Sequence, residues 1–83
     1  MEKTIYTTEY AELRRLLRET RERGKITQTE LAERLGRSQS FVTKSERGDR
    51  RLDVIQLRTI CQALSTDLVS FVTELERRLA KHR

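Results

Sequence analysis

Apolar residues recur along this chain at spacings of three and four, and no run alternates apolar with polar for long enough to suggest a strand. The pattern predicts an all-helical fold of five helices. The first spans about Thr8 to Arg23, with Tyr10, Leu13, Leu16 and Leu17 on one face and Gly24 as a left-handed C-cap. The second opens on Thr27-Gln28-Thr29-Glu30, which has capping-box spacing, turns Leu31, Ala32 and Leu35 inward and ends at Gly36. Ser38 caps the third, which runs to about Arg47, stops at Gly48 and has few inward residues, with Val42 the clearest and Phe41 at one edge. Asp53 and Gln56 repeat the capping logic for the fourth, whose apolar face is Val54, Leu57, Ile60, Cys61 and Leu64. The fifth begins near Thr66 or Asp67 and continues toward the C-terminus. The first few residues and the last, around Lys81, His82 and Arg83, read as frayed.

Composition narrows what such a bundle does. Eighty-three residues suit one compact domain, with no room for a separate ligand-sensing one. Charged residues, 37%, outnumber apolar ones, 35%, a balance that would indicate disorder if the apolar positions were not periodic. Cys61 is the only cysteine, so no intrachain disulfide and no cysteine-type metal site can form, and a reducing, cytoplasmic setting fits. On the helix 4 pattern it faces the core as a small hydrophobe. There is no run of membrane-spanning length and no signal-peptide core, so no membrane partner is expected. One histidine, His82 near the chain end, and no convergent carboxylates leave no nucleophile and base to bring together, so no enzyme, catalytic residue, metal or cofactor is expected.

Charge then singles out one segment. Of a net +5, the window from Arg34 to Arg51 carries +4, through Arg34, Arg37, Lys44, Arg47, Arg50 and Arg51 against Glu46 and Asp49. Arginine suits bidentate contact with phosphate and guanine, although arginine-rich helices also serve simply as solvated surface. The third helix adds Gln39, Ser40, Thr43, Lys44 and Arg47 on a surface its few apolar residues leave free. Glutamine can bond N6 and N7 of adenine, and lysine or arginine can reach guanine or phosphate. The starts of the second and third helices also offer unpaired N–H groups to a phosphate. Glu46 repels DNA, which fits a structural role, pairing with Arg34 or capping a nearby backbone group.

Gln28 and Gln39 eleven apart, Leu31-Ala32, Gly36 in the turn, Val42, Glu46-Arg47-Gly48, and RRLD ahead of an apolar helix form an ordered set. With it the chain resembles the phage-repressor and Cro-like, or Xre-type, helix-turn-helix family, over roughly Leu13 to Val72. The resemblance implies a compact five-helix, lambda-repressor-like domain over residues 1–72, with the helix-turn-helix at about 27–47, and residues 73–83 as an extension of the fifth helix. It implies that Gln39 contacts a base, that Ser40 and Lys44 read further bases with Thr43 flanking them, and that Gln28 buttresses Gln39 while touching a phosphate. Ser38 caps the helix and reaches base or phosphate, Arg47 meets the backbone, and Arg37 joins the backbone set. Arg50 and Arg51 are either phosphate contacts or solvated loop charges. One departure is Ser45, where many members carry a larger apolar or aromatic residue.

Leu68, Val72, Leu75 and Leu79 recur at spacings of four, three and four, with Phe71 broadening the stripe. Phe71, Val72, Leu75 and Leu79 are the candidate dimer interface; the alternative is that the fifth helix packs back over the first through Ile5, Tyr6 and Tyr10. A homodimer would set two reading helices in successive major grooves of a palindrome on double-stranded DNA, as a transcriptional repressor does. The rival function is an antitoxin or protein-binding adaptor that also binds DNA, with a partner protein on the same stripe.

Overall fold

The computed structural model describes the backbone of residues 2–81 and the side chains of residues 8–81. The side chains of Ile5 and Tyr6, and all of Met1, His82 and Arg83, lie outside the described residues. Five helices follow in order: α1 (Glu2–Arg23), α2 (Gln28–Leu35), α3 (Gln39–Arg47), α4 (Val54–Ala63) and α5 (Leu68–Lys81). Their packing closes a ring, α1 on α3, α3 on α2, α2 on α4, α4 on α5 and α5 back on α1. Inside it lies one core, with Leu16, Leu17, Leu31, Val42, Leu57, Ile60, Cys61, Leu64 and Phe71 among its members.

The helix starts follow the sequence closely. The Thr27 hydroxyl accepts from the Glu30 N–H at 3.0 Å while the Glu30 carboxylate accepts from the Thr27 N–H at 2.8 Å. Asp53 and Gln56 make the same reciprocal pair, and the Asp67 carboxylate accepts from the Ser70 N–H at 2.7 Å to open α5. These bonds hold the Glu30 and Asp67 carboxyls below the ordinary carboxylate range. Gly36 and Gly48 end α2 and α3 in the left-handed region, at φ 68° and 90°. At Gly48 a β-carbon would also lie 2.8 Å from Nε of Arg14, whose Nη1 donates to the Glu46 carbonyl at the end of α3.

Three local expectations are corrected. α1 begins at Glu2, six residues before Thr8, because no proline or glycine precedes Thr8 and an established helix extends cheaply. Gly24 is not the left-handed residue at the end of α1. Lys25 is, at φ 59°, within a Schellman turn in which Ile26 N–H bonds the Arg21 carbonyl and Lys25 N–H that of Glu22. Burial of Ile26 over the core sets that register and forces the lysine into a conformation that a side chain disfavours. Lys25→Gly should therefore raise the unfolding free energy by about 0.5–1 kcal/mol, read as a higher thermal midpoint. Third, Val54 stands 59% exposed beside an Ile55 that is 67% exposed, because the first turn of α4 projects past the core that holds Leu57, Ile60 and Cys61.

In α5, Phe71 is 4% exposed and belongs to the monomer's own core, with Leu68 and Leu75 packed against that core. It is thereby removed from any intersubunit surface. Arg78 ties α5 to α1 through Glu12 at 3.2 Å and Glu19 at 2.8 Å, with Glu74 at 2.9 Å on its own helix. Those carboxylates, Glu74 foremost, raise its affinity for its proton. Leu79 is half-buried; Val72, 39% exposed, and Val69 are the exposed large hydrophobic residues of the helix among the described residues. Cys61 is wholly buried, and desolvation pushes its thiol up to about 11, which suppresses the thiolate that oxidation or alkylation requires.

Candidate nucleic-acid interface

α3 is anchored along one face by Phe41, Val42 and Ser45. Ser45 is 2% exposed, and its hydroxyl donates to the Phe41 carbonyl at 2.8 Å. A small residue with its polar group satisfied inside the helix seats α3 closely on α1, so the departure at Ser45 costs the domain no anchor. The opposite face carries Gln39, Ser40, Lys44 and Arg47, all exposed, at the spacing of a single helical stripe.

Behind that stripe runs a polar network that fixes α3 against α1 and α2. Arg21 Nε donates to Glu46 Oε2 at 2.6 Å and its Nη2 to Oε1 at 3.1 Å, while Nη1 donates to the Ile26 carbonyl at 2.8 Å. Both side chains are more than nine-tenths buried. Gln28 Nε2 donates to Glu46 Oε1 at 3.0 Å, and Thr43 Oγ1 donates to Gln28 Oε1 at 2.8 Å. The structural role expected for Glu46 is present, but its partner is Arg21. Arg34 instead donates to the Ala63 carbonyl at the end of α4, at 2.8 Å.

This network also redistributes the two glutamines. Gln28 holds Thr43 and Glu46, whereas Gln39 Oε1 accepts from the Thr29 hydroxyl at 2.9 Å. Half-buried Thr43 thus turns its hydroxyl toward α2, away from the outer stripe. Ser38 is exposed and caps α3, accepting from the Phe41 N–H at 3.2 Å.

The cations fall into distinct settings. The Arg37 guanidinium lies 4.0 Å and that of Arg50 5.1 Å from the centroid of the Phe41 ring, so residues from either end of α3 converge on one aromatic platform. Arg51 covers the Tyr10 ring at 4.5 Å, and the Tyr10 hydroxyl accepts from the Leu52 N–H at 3.1 Å. Arg47 pairs with Asp49 at 2.7 Å, an exposed contact that is readily exchanged for another anion. Lys44 makes no ion pair among the described residues.

Thr29 and Arg21 escaped sequence reasoning. Arg21 had left a signal, since it falls one turn beyond Leu17 on the apolar stripe of the first helix, where a cation needs a buried partner. Thr29 had none, because an exposed threonine in a first helical turn is unremarkable until α3 is laid across it.

Comparison with known proteins agrees with this fold. The helix-turn-helix domain family matches residues 12–70. An XRE-family like protein from Pseudomonas syringae pv. tomato str. DC3000 has a similar solved structure, with a TM-score of 0.87 and 47% identity over 93% of this chain and 94% of that one. No curated protein matches.

Proposed function

Because the chain belongs to the Xre-type helix-turn-helix family of DNA-binding regulators, we propose that it is a repressor that binds a palindromic operator as a homodimer. Each subunit lays α3 in the major groove. Gln39, Ser40 and Lys44 meet base edges; Thr43, bonded to Gln28, steadies the helix from behind. Arg37, Arg47, Arg50 and Arg51, with Ser38 and Gln28 at the two helix starts, take the phosphates on either side.

The observation that carries this reading is the division of α3 into a face buried through Phe41, Val42 and Ser45 and an opposite face of unburied hydrogen-bonding groups. Any surface helix keeps a polar face, but this one bears amide, hydroxyl and cationic groups without a carboxylate and lies within the segment that carries +4 of the net charge. For the dimer, the exposed Val69 and Val72 on α5 supply an apolar surface for a second copy.

Selection of bound sequences from random DNA tests both parts. The expected result is an inverted repeat with half-site centres about 34–36 Å, one turn of the duplex, or a multiple of it apart. A single unrepeated half-site would overturn the homodimer, and failure to enrich any sequence would overturn specific reading.

A further inference from the structure

We infer that Thr29, on α2, is a specificity-determining positioning residue that sets the amide of Gln39 for an adenine before DNA arrives. This rests on the reading of α3 as the base-contacting helix. The Thr29 hydroxyl donates to Gln39 Oε1 at 2.9 Å, and it is the polar contact made by the Gln39 side chain among the described residues.

The two ends of that bond are firmly placed. Thr29 sits in the first turn of α2, directly after the Thr27–Glu30 capping box, and Gln39 opens α3 beside the Ser38 cap. An unrestrained glutamine must lose the freedom of several side-chain torsions when it meets a base. Here part of that ordering is complete in the free protein.

The direction of the bond also selects what is presented. With one lone pair of Oε1 engaged by Thr29, the amide keeps a second lone pair and both Nε2 hydrogens. An acceptor and a donor side by side match the N6 amino group and N7 of adenine. Turning the amide over, as guanine O6 in the place of the adenine amino group would favour, requires the Thr29 hydroxyl to give up donating to Oε1 and reorient as an acceptor. Gln28 cannot take this part while its own amide is engaged by Glu46 and Thr43.

The test compares Thr29→Val, which keeps the shape and removes the hydroxyl, with Thr29→Ser, which keeps the hydroxyl, and with Gln39→Ala. Each is measured on the selected operator, on operators changed at single base pairs, and on random DNA across a salt series. Thr29→Val should lose about three- to tenfold of the discrimination at the base pair where Gln39→Ala loses it. Thr29→Ser should retain it, with random-DNA affinity, salt slope and thermal midpoint unchanged in both. Full discrimination in Thr29→Val, or equal weakening on random DNA, overturns the role of Thr29 alone. If Gln39→Ala shows no position-dependent loss, base reading by Gln39 fails and the inference falls with it.

Discussion

Replacing Glu46 by alanine is expected to remove about 3–5 kcal/mol of stability. The substitution leaves the Arg21 guanidinium buried with the Ile26 carbonyl as its remaining hydrogen-bond partner among those described, and with the half-exposed Glu22 carboxylate at 3.9 Å as a long, weak countercharge. For a chain of this size each kcal/mol lowers the thermal midpoint by about 4–8 °C, so the variant should melt tens of degrees lower or fail to fold. Glu46→Gln, which keeps the shape and one acceptor, should lose less. The pairing is isolated by a double replacement, Arg21→Met with Glu46→Leu, which should recover most of the loss because no charge is then left stranded. Chemical denaturation of the three variants beside the unaltered protein measures this, and a loss below about 1 kcal/mol in Glu46→Ala would mean that the pair is worth no more than a solvated surface bridge. Because Gln28 and Thr43 hang from Glu46, the same change should loosen α3 against α2 even where the domain stays folded.

Gln39→Ala should act in the opposite manner, sparing the fold and weakening cognate DNA by about 1–3 kcal/mol. Gln39 is exposed and its one side-chain hydrogen bond among the described residues runs to an exposed threonine, so nothing buried there is left unsatisfied by its removal. The loss should be confined to the selected operator, with random DNA bound as before, because a base contact contributes only where its base is present. Binding titrations on the two kinds of DNA decide the matter. Equal weakening on both would place Gln39 among the phosphate contacts, and an unchanged affinity on both would remove it from the interface.

Most of the helical framework was legible in the sequence because caps and periodicity are local. Thr27 with Glu30, Asp53 with Gln56, and the glycines at 36 and 48 each act within one turn of the chain, and the residues themselves specify them. The misjudged end at Gly24 shows where local logic stops. Either Gly24 or Lys25 could stand near the end of α1, and it is Ile26, drawn into the core, that decides which becomes left-handed. Phe71 is similar: its period placed it on the inner half of an amphipathic helix, but whether that face meets α1 or a second subunit depends on which helix reaches it.

The candidate interface divides in the same way. Sequence alone determined an all-helical chain, the positive segment from Arg34 to Arg51, and the polar residues of α3 that its few apolar positions leave outward. Tertiary structure decided how those residues are held: Glu46 by Arg21 twenty-five positions away, Gln39 by Thr29, and Arg37 with Arg50 on the Phe41 ring. The physical reason is range. A cap, a helical period or a cluster of like charges is a property of neighbours along the chain, whereas a hydrogen bond between side chains on different helices exists only once the core has fixed their distance and angle.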